Sequence, residues 1–301
     1  MISYTRSPET VKQAAGKSVA SFMALEESNR DAKTVASFGE EWEKFNTFSE
    51  EEIKVAGDQY FDVLAGENLS HLQALDLGCG SGRWTRYLSP LVQSIESVDP
   101  SAAVLSAAAT HADLENVRWT QCGVDELPFA DGSFDLIVCL GVLHHIPDTG
   151  GALKKATTKL KPGGRLLLYL YYALDNRGIA YRTLFHLSTA VRRVVSALPG
   201  GLKRGVCDAI AALVYWPLVT LARLVRVFTQ AYKKLPLAYY CDKTFRIMRN
   251  DALDRFGTPL EQRFSRHEIA TMLEAAGMEA IRFSEGEPYW HCVSTRKSEP
   301  E

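Results

Sequence analysis

The chain has 301 residues, of which 46% are hydrophobic and 23% charged, so it can bury a full core as one large domain or two modest ones. Its 34 Lys and Arg against 36 Asp and Glu leave a net charge of -2, which predicts no nucleic-acid partner. The six cysteines stand singly without a C-x-x-C pair, and this spacing indicates neither a metal site nor a disulfide framework.

The first 65 residues are predicted to form a leader and a helical lid. The first 35 or so are polar and Ala-rich, lack the apolar core of a signal peptide, and are typical of a weakly ordered segment. Farther along, Ser49 and Glu52 make a capping box that predicts a helix through about Leu64.

From residue 66 onward the sequence alternates short apolar runs with helical periods, the rhythm of parallel strands joined by helices. This pattern predicts a core over residues 66–175, completed after an insertion by a helix and two strands in residues 251–301. A second capping box, at Ser265 and Glu268, is predicted to begin that helix. The predicted fold is α/β, a doubly wound, seven-stranded, Rossmann-like sheet with N-terminal helices and a helical insertion after the fifth strand. The strands are expected near residues 72–77, 95–99, 117–121, 134–140, 165–172, 281–284 and 289–294.

The most informative segment follows the first of these core strands. The strand ends at Asp76 and Leu77 and runs into Gly78-Cys79-Gly80-Ser81-Gly82. Glycines let a backbone approach a ligand closely. Asp99 ends the next strand, and in a doubly wound sheet it lies at the same carboxyl edge as the glycines. This edge is therefore predicted to bind a ligand with ribose hydroxyls.

Two ligands compete for this edge, a nicotinamide dinucleotide and S-adenosylmethionine (SAM). The dinucleotide fingerprint requires a third glycine where Arg83 stands, whereas Gly82 comes one place earlier. A carboxylate at Asp76 would also repel a pyrophosphate, but it would attract a cationic amino-acid group. These observations favour SAM.

Five stretches of the chain resemble the class I SAM-dependent methyltransferases, in the small-molecule branch that includes the quinone-ring methyltransferases. They run in the order that the family has, and their joint spacing is specific. The stretches are Leu75–Gly82, Val98–Ser101, Leu127–Asp135, Gly141–Ile146 and Leu160–Gly164. The resemblance implies an enzyme that moves a methyl group from SAM to a small, hydrophobic or aromatic acceptor by in-line displacement.

The resemblance also assigns residues to parts of the cofactor. The three glycines flank the methionine part of SAM, Asp76 lies near its amino group, and Asp99 binds the ribose. Many relatives carry an Asp where Gly123 stands, so adenine is assigned to the Val124 backbone and Asp125. The predicted cofactor-binding residues are Asp76, Gly78, Cys79, Gly80, Gly82, Asp99, Pro100, Val124, Asp125, Leu140 and Gly141.

His144 and His145 are the candidates for a general base, with His145 slightly ahead, because histidine titrates near neutral pH. A base is needed only where the acceptor must lose a proton, and adjacent histidines after a strand also suit simple core packing. Aromatic and polar residues near the substrate edge are the candidates for an acceptor pocket. The alternative is that the aromatic residues belong to the core and the polar ones to surface turns. The candidates are Trp42, Tyr171, Tyr172, Arg255 and His291.

Residues 176–250 form the predicted helical insertion. Its first part, 176–234, holds ten Lys and Arg against one acid, Asp208. The run Ala209–Ala222 contains 14 uncharged residues, fewer than a bilayer span requires, and Pro217 is expected to kink or end a helix there.

The C-terminal half of this part is predicted to be a basic amphipathic helix, with Arg223, Arg226, Lys233 and Lys234 near one face. Two interpretations stay open: peripheral docking through residues 204–234 on an anionic membrane surface, or a helical lid over the pocket. The chain is expected in the cytoplasm, free or peripheral at the inner membrane surface. The rival functions are a non-catalytic SAM-binding scaffold and a methyltransferase of a polar metabolite.

Overall fold

The chain divides into two compact units in the computed structural model. The sheet unit comprises Met1–Asp175 and Leu260–Glu301, and the helical unit comprises Asn176–Pro259. The residues that the structure describes are 1–23, 29–44, 48–176 and 178–298.

Nine strands of the sheet unit form one sheet. They are β1 (Thr10–Ala14), β2 (Lys17–Ser21), β3 (Gln73–Leu77), β4 (Ser94–Asp99), β5 (Val117–Gln121), β6 (Phe134–Leu140), β7 (Leu160–Tyr169), β8 (Met278–Phe283) and β9 (Cys292–Arg296). Their order across the sheet is β1-β2-β5-β4-β3-β6-β7-β9-β8. The strands from β2 to β7 pair in parallel, and β1, β9 and β8 pair antiparallel with their neighbours. The predicted α/β, doubly wound fold is confirmed.

Ten α-helices accompany the strands. They are α1 (Ala32–Lys44), α2 (Glu50–Tyr60), α3 (Arg83–Leu88), α4 (Ala103–Thr110), α5 (Thr149–Thr158), α6 (Ile179–Ser196), α7 (Gly200–Ile210), α8 (Trp216–Phe228), α9 (Phe245–Gly257) and α10 (Arg266–Ala275), within the described ranges. Both predicted capping boxes are present, with Ser49 and Glu52 at the start of α2 and Ser265 and Glu268 at the start of α10.

Two strands at one edge of the sheet were not predicted, and the expected count of seven strands was wrong for this reason. β1 and β2 form a hairpin within the segment expected to be weakly ordered. Ala15 and Gly16 connect them with φ values of 48° and 82°, the pair of positive φ angles found in two-residue hairpin turns. Because β2 pairs with β5, the hairpin extends the sheet beyond the seven predicted strands.

The sheet separates two hydrophobic clusters, because successive side chains of a strand point to opposite faces. On β6, Ile137 and Cys139 belong to one cluster, whereas Leu136 and Val138 belong to the other. The central strand β3 lies between β4 and β6, where the order of connection reverses. Ligands of doubly wound sheets bind at the carboxyl ends of strands at such a reversal.

The helical unit differs from its prediction in two respects. Pro217 does not end a helix, because α7, a π-helical turn at Ala211–Tyr215 and α8 follow one another without a break. Pro217 is the second residue of α8, and the first turn of a helix tolerates a proline because the N–H groups there have no partner within the helix. The resulting helix Gly200–Phe228, called the long helix below, has 29 residues and is long and apolar enough to cross a membrane.

The predicted basic amphipathic helix is also shorter than expected. It ends at Phe228, since Thr229 is extended with φ -159° and ψ 150°, and a separate 3-10 turn covers Gln230–Lys234. Lys233 therefore does not continue the helical face that holds Arg223 and Arg226.

Candidate active site

The chain passes from β3 into α3 through a glycine turn, residues 78–82. Gly78 has a φ of 81°, and a Cβ atom placed there would lie 2.4 Å from Cγ2 of Val142, so a larger residue does not fit. The amides of Gly78 and Cys79 both donate to the Val98 carbonyl, at 2.8 and 2.9 Å. These bonds hold the turn against the end of β4.

Asp99, the last residue of β4, holds the same turn. Its Oδ2 accepts from the Gly80 amide at 2.9 Å, and its Oδ1 accepts from the Ser101 amide and hydroxyl at 2.8 and 2.6 Å. Burial raises the pKa of the Asp99 carboxyl, and the bonds from Ser101 and Gly80 oppose this rise. Each carboxylate oxygen accepts about two hydrogen bonds, so Oδ2 has capacity for a further donor such as a ribose hydroxyl.

Asp76 lies beneath the turn on β3 and is completely buried. Its Oδ2 accepts from the Thr85 hydroxyl at 2.6 Å, and that hydroxyl lies 2.9 Å from Oγ of Ser97. Its Oδ1 has no hydrogen-bond partner among the described residues. Burial is the main reason that the pKa of Asp76 is raised to about 7; the nearby charge of Asp99 adds to the rise and the Thr85 bond opposes it.

The electrostatics of this edge select the charge of the ligand. Two buried carboxyls flank the turn, and in their ionised forms they would repel an anionic pyrophosphate and stabilise a cation. The unpartnered oxygen of Asp76 suits an ammonium group. Gly141, at the end of the neighbouring strand β6, leaves open space, since a Cβ atom there would meet nothing within 4 Å. These residues therefore fit a cationic, amino-acid-bearing cofactor.

Comparison with known proteins gives the same assignment. Residues 75–168 match the family model described as a methyltransferase domain. This segment therefore forms a methyltransferase domain, and its motifs resemble those of the class I SAM-dependent family. S-adenosylmethionine is the cofactor that the resemblance implies for it, and the buried carboxyls of Asp76 and Asp99 fit the cationic amino-acid group of that cofactor.

Three curated relatives illustrate the range of proteins that share the domain. The chain is 38% identical over 107 residues to an uncharacterized methyltransferase of Bacillus subtilis, YcgJ, covering 35% of this chain and 42% of the relative. It is 35% identical over 122 residues to a tRNA U34 carboxymethyltransferase of Campylobacter curvus, covering 39% and 41%. It is 26% identical over 162 residues to a ubiquinone biosynthesis O-methyltransferase of Acinetobacter baylyi, covering 51% and 66%. The chain thus spans 41% to 66% of the lengths of these relatives.

Asp125, predicted to bind adenine, lies in a 3-10 turn after β5. Its carboxylate has two partners, one in the N-terminal segment and one on α5. Its Oδ2 accepts from the Asn29 amide at 2.7 Å, and its Oδ1 pairs with Lys155 at 3.0 Å. The Asn29 side chain also exchanges two hydrogen bonds with the Asp148 backbone, at 2.7 and 2.8 Å. The N-terminal segment is thereby attached to the turn where adenine is predicted.

Glu126 is a residue of this turn that the sequence analysis missed. Its Oε2 accepts from the Gly123 amide at 3.1 Å, and its Oε1 pairs with Arg30 at 3.0 Å. A Cβ atom at Gly123 would lie only 2.5 Å from Oε2 of Glu126. The Glu126 carboxylate therefore occupies the space where the side chain of an Asp at position 123 would begin, and Gly123 is required for this approach.

The two histidines after β6 differ in their environments. Nδ1 of His145 lies 2.7 Å from the carbonyl oxygen of Leu260, which only accepts, so Nδ1 carries the proton of the neutral ring and Nε2 is the basic nitrogen. His144 is fully buried, and burial, followed by the charges of His145 and Arg263, lowers its pKa well below the ordinary histidine value. Its Nε2 lacks a partner in the part of the chain that the structure describes. His145 is thus the better oriented base.

Helix α1 lies close to His145. The Phe38 ring is 4.8 Å from the His145 ring, and the Leu260 amide donates to Oγ1 of Thr34 at 3.3 Å. α1 therefore covers this part of the carboxyl edge and reduces its access to water. The side chain of Trp42, on the same helix, lies outside the described residues, and its substrate contact stays a prediction.

The structure brings one predicted substrate residue, Tyr171, to the histidines. Its ring stacks on His144 at 3.9 Å and its amide lies 3.4 Å from Nδ1 of His144. Tyr172 is bridged to Phe264, and its ring lies 5.5 Å from that of Tyr289.

His291 and Arg255 have partners that hold each within its own unit. His291 is fully buried, with Nε2 2.6 Å from Oδ1 of Asp62 and Nδ1 2.6 Å from the Pro288 carbonyl. Arg255 belongs to the helical unit, where it donates to Oγ of Ser188 at 2.9 Å. Both contacts are typical of structural residues, and a role of either residue in substrate binding stays a prediction.

Proposed function

We propose that the chain transfers the methyl group of SAM to a small, hydrophobic or aromatic acceptor. The observation that carries this proposal is a contiguous set of aromatic rings at the ends of β6 and β7, beside the open space at Gly141. Neighbouring rings of the set lie 3.9 to 6.0 Å apart. They belong to Phe38, His145, Tyr169 and Tyr171, and the fully buried ring of His144 contacts those of His145 and Tyr171. Such a surface favours a flat, apolar acceptor over a strongly hydrated one.

Bound SAM supplies a methyl group on a positively charged sulfur. The protein's main task is alignment, because positioning of reacting groups can supply roughly 7 to 11 kcal/mol of a barrier. The glycine turn and Asp99 would fix the nucleoside, and Asp76 would hold the amino group. Phe38 on α1 would exclude water from the acceptor side.

His145 would remove the proton of an acceptor hydroxyl or similar group. The Leu260 carbonyl keeps Nδ1 protonated, so the proton would be taken at Nε2, and the same carbonyl would stabilise the resulting imidazolium. His144 is less suited to this role because its low pKa makes it a weak base.

His145→Ala is expected to lower kcat by about 100-fold, in the range of a lost general base, with little change in SAM affinity. In the same variant, the fall of kcat toward acidic pH should disappear, because the group whose protonation blocks the reaction is absent. His144→Ala is the matched control: it empties a fully buried site and should lower the melting temperature more than kcat. An unchanged kcat in His145→Ala would exclude His145 as the base.

The acceptor class is tested by incubating the purified chain with methyl-labelled SAM and a cell extract, and then partitioning the products. Label that enters the organic phase supports the proposal. Label that stays in water, or that precipitates with acid and is released by ribonuclease, would assign a polar metabolite or an RNA acceptor instead. Bound SAM without transfer of label to any fraction would indicate a non-catalytic scaffold.

A further inference from the structure

Exposed apolar side chains are concentrated in the helical unit. Among the described residues, 18 large hydrophobic side chains are exposed, and 14 of them lie in Asn176–Pro259. On the surface of a soluble protein, exposed apolar residues normally occur singly, whereas a contiguous group of them indicates an interaction site. The helical unit therefore has a surface that is suited to an interaction.

The long helix carries the most continuous part of this surface. One side packs into the core of the helical unit through Cys207, Ala211, Tyr215 and Val219, together with residues of α9. The other side is the apolar row, which consists of Leu213, Trp216, Leu221, Leu224, Val227 and Phe228. Leu213 and Val227 are each 76% exposed and Phe228 is 85% exposed. From Leu213 to Phe228 the row extends over about 22 Å at 1.5 Å per residue.

Charged groups on the long helix are held away from the row. Arg223 donates to the carbonyls of Cys241 and Lys243, both at 2.9 Å. Arg226 pairs with Asp242, and at the other end of the helix Asp208 pairs with Arg249 at 2.7 Å. The row is thus an uncharged surface bordered by polar segments of the same unit.

The helical unit is also strongly basic. Residues 176–259 contain 14 Lys and Arg, four Asp and no Glu, a net charge of +10, so the remainder of the chain carries -12. We propose that the helical unit docks on an anionic lipid bilayer, with the long helix lying in the plane of the surface and the apolar row inserted among the lipids. Apolar insertion and attraction of basic residues to anionic lipids act together in helices of this kind. The proposal does not depend on the acceptor of the methyl group.

A helix lying on the surface fits these observations better than a helix that spans the bilayer. Spanning would pull Cys207, Ala211 and Tyr215 out of their core and would place the Asp208–Arg249 pair in hydrocarbon. A second copy of the chain is also disfavoured as the occupant. A symmetric dimer through the row would bring two units of charge +10 together.

The test is cosedimentation of the full chain with vesicles of phosphatidylcholine containing 30% phosphatidylglycerol, and with vesicles of phosphatidylcholine alone. We expect binding to the anionic vesicles, weakened by salt, and at least tenfold weaker binding to the neutral ones. The triple variant Leu213→Ser, Leu224→Ser, Phe228→Ser should lose more than tenfold in partition to anionic vesicles. Because all three side chains are exposed, its melting temperature and SAM affinity should stay unchanged.

The matched control removes exposed apolar side chains from the sheet unit, in the double variant Val55→Ser, Leu91→Ser. It should bind vesicles as the unaltered chain does. The proposal is overturned if the chain ignores anionic vesicles, if the triple variant binds as well as the unaltered chain, or if both variants lose binding equally. It is also overturned if bound chain resists extraction by alkaline carbonate, which indicates a span. A dimer in light scattering that the triple variant converts to a monomer would likewise overturn it.

Discussion

Asp99→Asn is expected to weaken SAM binding about 100-fold. The substitution keeps the size of the side chain, but it removes the charge that would bind a ribose hydroxyl. It also presents an NH2 group to the Gly80 or Ser101 amide, both of which now donate to the carboxylate. Hydrogen bonds to charged groups contribute about 1.5 to 3 kcal/mol each, so the loss of one with distortion of the turn reaches about two powers of ten. Isothermal titration with SAM measures the effect.

Glu96→Gln provides a matched control for Asp99→Asn. Glu96 lies on the same strand, is also buried, and pairs with Arg118 instead of holding the glycine turn. SAM affinity should change less than threefold, within the range of a small indirect effect. If the two variants bind SAM alike, the assignment of the ribose to Asp99 is wrong.

Binding of the cofactor's amino group is expected to depend on pH through Asp76. The pKa of this carboxyl is raised to about 7 in the ligand-free chain, and an ammonium ligand favours its ionised form. Lowering the pH from 8 to 6 should therefore weaken binding of S-adenosylhomocysteine, which has the same amino group, by about tenfold. In Asp76→Asn, a plot of S-adenosylhomocysteine affinity against pH (the binding profile) should be flat, and the affinity at pH 8 should be weaker than that of the unaltered chain. A flat profile in the unaltered chain would contradict the placement of the amino group at Asp76.

Asp76→Asn is expected to stabilise the ligand-free chain, although it weakens ligand binding. With a folded pKa above the unfolded value of 3.8, Asp76 binds more protons in the folded state between about pH 4 and 7, so stability falls as pH rises through that window. A shift of this size corresponds to about 4 kcal/mol, and an unpaired amide costs about 1 to 3 kcal/mol. Asp76→Asn should therefore raise the free energy of unfolding by about 1 to 3 kcal/mol at pH 8, as measured by urea denaturation of the ligand-free chain.

Thr85→Val removes the hydrogen bond that the Thr85 hydroxyl donates to the Asp76 carboxyl. The Thr85 bond lowers the pKa of Asp76, so its loss should move the midpoint of the binding profile to higher pH while leaving the profile steep. If Thr85→Val flattens the profile as Asp76→Asn does, the pH dependence arises from another group.

Local patterns were sufficient to predict most of the fold and the cofactor edge. Strands β5 and β6 begin and end at the residues predicted from the apolar runs of the sequence. Both capping boxes lie at the starts of helices, α2 and α10. The glycines and Asp99 meet because adjacent parallel strands end at one edge, which depends only on strand order.

Other features depend on contacts between distant parts of the chain. The hairpin of β1 and β2 is stabilised by pairing with β5, about 100 residues later, and its only local signal is the turn at Ala15 and Gly16. The orientation of His145 depends on the carbonyl of Leu260, 115 residues away. Main-chain carbonyls carry no sequence signature, so this partner could not be predicted.

The helical unit shows a third kind of difference. Proline normally breaks a helix, but Pro217 directly follows a π-helical turn and lies at the start of α8, and the long helix continues through it. The sequence therefore underestimated both the length of this helix and the extent of its exposed apolar side.

The most direct test of the central claim is isothermal titration of the purified chain with SAM and, separately, with NAD at pH 8. Two buried carboxyls beside the glycine turn predict a micromolar Kd for SAM and no measurable binding of NAD, whose pyrophosphate they repel. Binding of NAD without binding of SAM would contradict the account of this edge as a site for a cationic cofactor.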